Sequence, residues 1–217
     1  MNRRGQWAVL ALAALVAGAP KEASARKLPP VEQCGDDPTF TAFRAELRRV
    51  AARRDAKRLT QLLAPDVLVN FGGGYGRKAF ASHWELNRPA KSGLWRELTT
   101  ALRLGCARVD GARVMPSLMD QFSAQNDQDA FESMIVVSPA ARLRTSRRHG
   151  SPAIAILAWD VVRPIEAADD GVQIKIRLPD GREGWLNRAE LRSPLDYRLV
   201  MKKRGGKWMI TAFVAGD

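Results

Sequence analysis

The chain has 217 residues, 46% of them apolar and 27% charged, which excludes an intrinsically disordered protein and gives enough material for one large or two small hydrophobic cores. Two cysteines exclude a disulfide-dense mini-protein and any multi-cysteine zinc or iron–sulfur framework, and two histidines leave little for a histidine metal or catalytic centre. The net charge of +12 raises nucleic acid as a partner, but no basic stretch interleaves with aromatic stacking residues and no groove-reading helix stands out, so that class is set aside.

Residues 1–25 have the three parts of a secretory signal peptide in order. Arg3 and Arg4 form a basic start, Trp7 to Gly18 is a run rich in Ala, Leu and Val, and Ala23-Ser24-Ala25 follows Pro20 as a small-residue cleavage zone. The apolar run is well short of the ~20 residues that span a bilayer core, so a cleaved leader is expected rather than an anchor. The mature chain is expected to begin near Arg26, in a periplasm or outside the cell, with no membrane span. The leader holds three cations and one acid, so the mature chain keeps a net charge of +10 spread over both halves. A solvated basic surface accounts for that charge, and so does weak attraction to anionic envelope polymers or lipid headgroups.

Residues 26–37 are polar and Pro-rich and read as a linker. Phe40, Phe43, Leu47 and Val50 then fall on one stripe of an amphipathic helix, with Asp36 and Asp37 before Pro38 as its capped start. Asp55 can cap a second helix carrying Leu59, Leu62 and Leu63, which Pro65 stops. Val67 to Phe71 reads as a strand leading into Gly72-Gly73-Gly74-Tyr75-Gly76. The glycines do not have phosphate-loop spacing, because Gly76-Arg77-Lys78-Ala79 lacks the Gly-Lys-Ser/Thr ending, so they read as a tight strand-to-helix turn. Lys78 to Asn87 is a helix burying Phe80 and Trp84, with His83 beside Trp84. Ser92 can cap another, with Trp95, Leu98 and Leu102 inside and Gly105 at its end; a loop-like segment follows to Gln128.

From Ser133 the pattern alternates. Short β-rich runs occur at Met134 to Val137, Ala153 to Leu157, and Val161-Val162. Val172, Ile174, Ile176 and Leu178 alternate with Gln173, Lys175 and Arg177 as a strand with one buried face. Pro179-Asp180-Gly181 is turn chemistry, and Glu183 to Leu186 resumes as a strand. Tyr197 to Lys202 and Trp208 to Val214 flank Arg204-Gly205-Gly206-Lys207 as a hairpin. The expected fold is α+β: a mostly helical domain over 38–132, then a small β-barrel with a C-terminal β-hairpin over 133–217.

Two resemblances accompany this reading. Arg53-Arg54-Asp55-Ala56 through Leu62-Leu63-Ala64-Pro65-Asp66-Val67, with the glycine turn and the Phe80 helix, resembles the opening of NTF2-like domains. Ser138-Pro139-Ala140-Ala141-Arg142-Leu143-Arg144, Ser151-Pro152-Ala153-Ile154-Ala155-Ile156-Leu157 and Leu178-Pro179-Asp180-Gly181-Arg182-Glu183-Gly184-Trp185-Leu186 together resemble a bacterial SH3-like (SH3b) domain over about residues 133–192. The chain departs from the SH3b pattern where Val172 or Gln173 replaces the aromatic residue usual before Ile174. The SH3b resemblance implies a module that binds wall peptides or partner proteins through grooves between loops.

Cys34 and Cys106 are a disulfide candidate in an oxidising compartment, with two buried free thiols as the alternative. Closing a 72-residue span would stabilise the fold by roughly 4 kcal/mol on the chain-entropy account. No Gly-x-Ser-x-Gly elbow, no His-Glu-x-x-His helix and no Cys–His motif is present, so the expectation is a non-enzymatic protein without metal or cofactor. The binding candidates are Trp159, Asp160, Trp185, Arg147 and Arg148. Tryptophan offers a flat apolar face, and arginine can pair a peptide carboxylate through two donors. The alternative is an NTF2-like small-ligand binder or enzyme with His83 and Asp66 inside one enclosed pocket.

Overall fold

The computed structural model describes residues 26–124, 129–168 and 171–216. The signal-peptide reading of 1–25 lies outside the described residues. Helix α1 (Pro38–Arg53) starts where Asp37 accepts the Thr39 and Phe40 N–H groups and ends where Arg54 turns left-handed. Helix α2 (Ala56–Leu62) is capped by Asp55. Strand β1 (Leu63–Asn70) begins four residues before Val67, because Pro65 occupies extended backbone as readily as it ends a helix. Strand β2 (Gly74–Tyr75), helix α3 (Gly76–His83) and helix α4 (Leu94–Arg103) follow. Helix α3 stops at His83, short of the expected Asn87, and Glu85 beyond it adopts a positive φ of 48°.

Two strands lie in the segment expected to be loop. Strands β3 (Ala107–Val109) and β4 (Ala112–Met115) form a hairpin around Asp110-Gly111, both with positive φ. Asp-Gly is the dipeptide that a tight two-residue hairpin turn favours. Helix α5 (Leu118–Ser123) follows. The chain then forms β5 (Met134–Val136), β6 (Ala141–Arg144), β7 (Ala153–Leu157), β8 (Val161–Ala167), β9 (Gln173–Arg177), β10 (Glu183–Asn187) and β11 (Leu191–Arg192). It ends with β12 (Arg198–Arg204) and β13 (Lys207–Val214).

These strands make two sheets. The first runs β2-β1-β13-β12-β4-β3, with β1 and β13 parallel and its other neighbours antiparallel. The second runs β11-β5-β8-β9-β10-β6-β7, antiparallel throughout. Two expectations are corrected. The C-terminal hairpin does not extend the second sheet; it fills the centre of the first, with Leu199 and Val200 paired to Met115 and Val114. Alternation along a strand shows that one face is buried but not which neighbour pairs with it. Residues 38–132 are mostly helical, as expected, but their helices cover a six-stranded sheet completed from the far end of the chain. The second sheet is an open ladder among the described residues rather than a closed barrel.

Three apolar clusters hold the molecule. Phe40, Leu47, Phe80, Trp84, Leu98 and Phe213 lie within the first, under the helices. Val136, Leu143, Ile174, Ile176 and Leu186 fill the second sheet. Leu28, Leu104, Leu118, Phe122, Ile135 and Val161 join elements of both. The segment 26–37 is a strap, not a free linker. Val161 N–H donates to Arg26 O at 2.8 Å, Leu28 N–H to Trp159 O at 2.8 Å, and Cys106 N–H to Val31 O at 2.8 Å. The Cys34–Cys106 disulfide fastens the strap to the first unit beyond α4. Gly105 permits that approach: its φ is +78°, and a Cβ there would collide with the Val31 carbonyl oxygen.

Candidate functional site

Strand β10 alternates strictly. Gly184 and Leu186 are buried, while Trp185 turns to the outer face, half-buried, opposite Lys175 of β9 and Arg144 of β6. Gly184 is required by proximity, since a Cβ there would lie 2.7 Å from Arg144 O and 2.8 Å from Leu143 Cγ. The loop from β6 to β7 brings Arg147 and Arg148 over this face. It is fastened by Thr145 N–H to Pro152 O at 3.0 Å and by the Ser151 hydroxyl to Ser146 O at 2.8 Å.

The Arg147 guanidinium carbon lies 5.3 Å from the Trp185 ring centroid. Arg147, Arg148, Trp185, Val172, Gln173 and Ser146 line an open cleft of about 620 Å³. A guanidinium held over an indole by cation–π attraction keeps N–H donors with which it can pair a carboxylate. Neither Arg147 nor Arg148 has an ion-pair partner among the described residues. The Gln173 Oε1 is buried without a hydrogen-bond partner among the described residues.

Trp159 and Asp160 lie elsewhere. Trp159 adopts φ 63° at the β7–β8 corner and packs on the cluster between the sheets. Asp160 is 2% exposed, accepts Ala158 N–H at 2.6 Å and pairs with the Lys27 ammonium at 2.9 Å. It holds the strap and lines none of the clefts described here. Three of the five candidates thus converge and two do not.

The enclosed pocket expected around His83 and Asp66 is corrected. His83 is exposed at the end of α3, its Nε2 3.4 Å from the Tyr197 hydroxyl and its ring edge-on to Trp84. Asp66 is exposed on β1, 3.7 Å from Arg204. Helical and strand patterning put both on their elements but not on a common interior face.

A second cleft, of about 710 Å³, was not foreseen. Helix α4 contributes Glu97, and the second sheet and the chain after it contribute Asn187, Arg188, Arg192, Asp196 and Tyr197. Arg192 is 4% exposed, donates to Tyr197 O at 2.6 Å and lies 3.7 Å from Glu97. Burial holds its guanidinium below the usual arginine range, opposed by the charges of Asp196 and Glu97. Burial likewise pushes the Tyr197 hydroxyl up, reinforced by Glu97 and Asp196. Nothing local in Leu191-Arg192-Ser193 marks a buried cation, because its cover comes from α4, far away in sequence. A smaller depression of about 330 Å³ beside Glu132 and Arg163 has those two charges paired at 2.6 Å. Glu32 approaches Cys34 and Cys106, but bonded sulfurs offer no thiolate to a metal.

No family model matches the chain, and no curated protein matches it. Among solved structures, the chain named Rd1NTF2_05_I64F_A80G_T94P_D101K_L106W is 12% identical, with 82% of this chain and 96% of that one covered and a TM-score of 0.32. A putative calcium/calmodulin dependent protein kinase II association domain from Xanthomonas campestris is 10% identical, with 88% and 96% covered and a TM-score of 0.31. At such scores neither likeness carries an argument about this chain.

Proposed function

We propose that the chain is an exported, non-enzymatic binding protein whose second sheet is an SH3-like (SH3b) module that takes carboxylate-bearing wall peptides. The single observation behind this reading is the Arg147 guanidinium lying over the Trp185 ring, 5.3 Å from its centroid, in an open cleft shared with Arg148 and Gln173. The ring supplies an apolar face and the two arginines supply carboxylate donors. The Asp180-Gly181-Arg182-Glu183-Gly184-Trp185 segment supports the SH3b assignment, and the leader pattern and the buried disulfide support an oxidising, extracytoplasmic location.

The experiment is retention of the mature protein on purified peptidoglycan, beside an arm with envelope extract. Wild-type protein is retained on peptidoglycan. Trp185→Ala and Arg147→Ala, checked for unchanged melting, each lose about tenfold in affinity, the scale of one charge-assisted contact. Retention on extract alone moves the ligand to a partner protein, and retention on neither removes the binding role.

A further inference from the structure

The Trp185 cleft and the larger cleft beside it share Val172 in their linings. Val172 is an apolar side chain left 52% exposed, on the chain entering β9. On one side of it stand Arg147, Arg148 and Gln173; on the other stand Asn187, Arg188, Arg192, Glu97 and Asp196. The second cleft lies where α4 meets the second sheet, and junctions between packed units are a preferred place for ligand sites.

The lining of this second cleft carries both signs of charge. Arg188 is anchored by donation to Leu191 O at 2.9 Å, and Arg192 by donation to Tyr197 O, which fixes two guanidinium groups in place. Asn187 uses its side-chain oxygen on Ala189 N–H, leaving its amide N–H groups uncommitted among the described residues. Asp196 accepts Ser193 N–H through Oδ2 at 3.0 Å, and its other oxygen carries no hydrogen bond among the described residues. Fixed guanidinium and amide donors beside a half-engaged carboxylate complement a group bearing carboxylate and ammonium together.

We infer that the two clefts form one groove across Val172, and that the second cleft is a subsite for a zwitterionic amino-acid head at the end of a peptide side chain. This rests on the wall-peptide reading above and names the part of the peptide that gives it selectivity. Arg188 and Asn187 take the carboxylate of the head, and Asp196 takes its ammonium.

Calorimetric titration with three synthetic tripeptides tests it. They share an alanine and a γ-linked glutamate; the third residue is diaminopimelate, with a zwitterionic side-chain end, lysine, with an ammonium alone, or norleucine, with a methyl. The diaminopimelate peptide is expected to bind about tenfold tighter than the norleucine peptide, with lysine between them. Asp196→Asn, which keeps an acceptor for Ser193, removes the lysine advantage and weakens the diaminopimelate peptide while leaving norleucine unchanged. Arg188→Gln brings diaminopimelate down to the lysine level, and Arg147→Ala weakens all three.

Equal wild-type affinities for the three peptides overturn the subsite and leave the wall-peptide reading standing. Equal weakening of all three by Asp196→Asn also overturns it, because a purely structural role would produce that result. Absence of binding by all three overturns the wall-peptide reading, and the subsite falls with it.

Discussion

The two sheets use their large side chains in opposite ways. Under the first sheet Phe40, Phe80, Trp84 and Phe213 are buried, and Trp84 stacks on Phe213 with ring centroids 5.5 Å apart. Among the described residues the core of the second sheet holds no aromatic side chain: Val136, Leu143, Ile174, Ile176 and Leu186 fill it, and Trp185 is turned outward beneath Arg147. A six-stranded sheet covered by helices has an interior wide enough for rings. Trp185, turned out of that core, is the residue on which the proposed binding site rests.

The largest test of that difference is truncation of each core. Phe213→Ala should destabilise the first unit by about 3–5 kcal/mol, and Leu143→Ala the second by about 2–5 kcal/mol. If the cores are energetically separate, calorimetry resolves two transitions, with Phe213→Ala lowering one and Leu143→Ala the other. A single transition shifted by both variants would mean that the cluster of Leu28, Leu104 and Ile135 couples the sheets into one cooperative unit.

The disulfide sharpens the comparison from one side, because both its cysteines lie in the first unit and its strap. Removing it as the double Cys34→Ala and Cys106→Ala variant should cost roughly 4 kcal/mol for a 72-residue span. The loss should appear in the first transition and in faster proteolysis within residues 26–37. Protection of β5 to β11 in hydrogen exchange should stay as in the oxidised protein. Loss of protection there would show that the strap supports the second sheet as much as the first.

What could be read from the residues follows from the range of the interactions involved. The stripe of Phe40, Phe43, Leu47 and Val50 and the alternation from Val172 to Leu178 are decided by neighbours within one element, and both elements form as expected. The Asp110-Gly111 hairpin is equally local, but its strands are only three and four residues long, too short for alternation to mark them. The placement of β12 and β13 beside β1 and β4 depends on pairing across most of the chain, which periodicity does not encode. The same holds within the site. Trp185 and the two arginines were visible as residue types suited to binding. The reach of Lys27 to Asp160 and the cover over Arg192 were not, because each is made by a segment distant in sequence.

The smallest effect expected lies on the outer face that carries Trp185. Glu183 pairs with Lys175 at 2.9 Å and with Arg177 at 2.7 Å, and hydrogen bonds from Lys175 first and Arg177 second hold its carboxyl below the ordinary 4.5. A carboxylate whose folded value is depressed stabilises the fold fully above its unfolded value. That contribution is lost as pH falls through the folded value. Glu183→Gln should therefore lower the melting temperature of the second unit slightly at neutral pH. The difference should close in acid once the wild-type carboxyl is protonated, and shrink in about 1 M salt, where exposed pairs are screened. The first sheet provides the control. Asp37, also held low, chiefly by the Thr39 hydroxyl and then by Lys203, caps α1, so the acid limb of the first transition should be unmoved by Glu183→Gln. A shift of that limb would show that the charges of one sheet are felt by the other, and the outward face of β10 would then no longer count as a separate electrostatic surface.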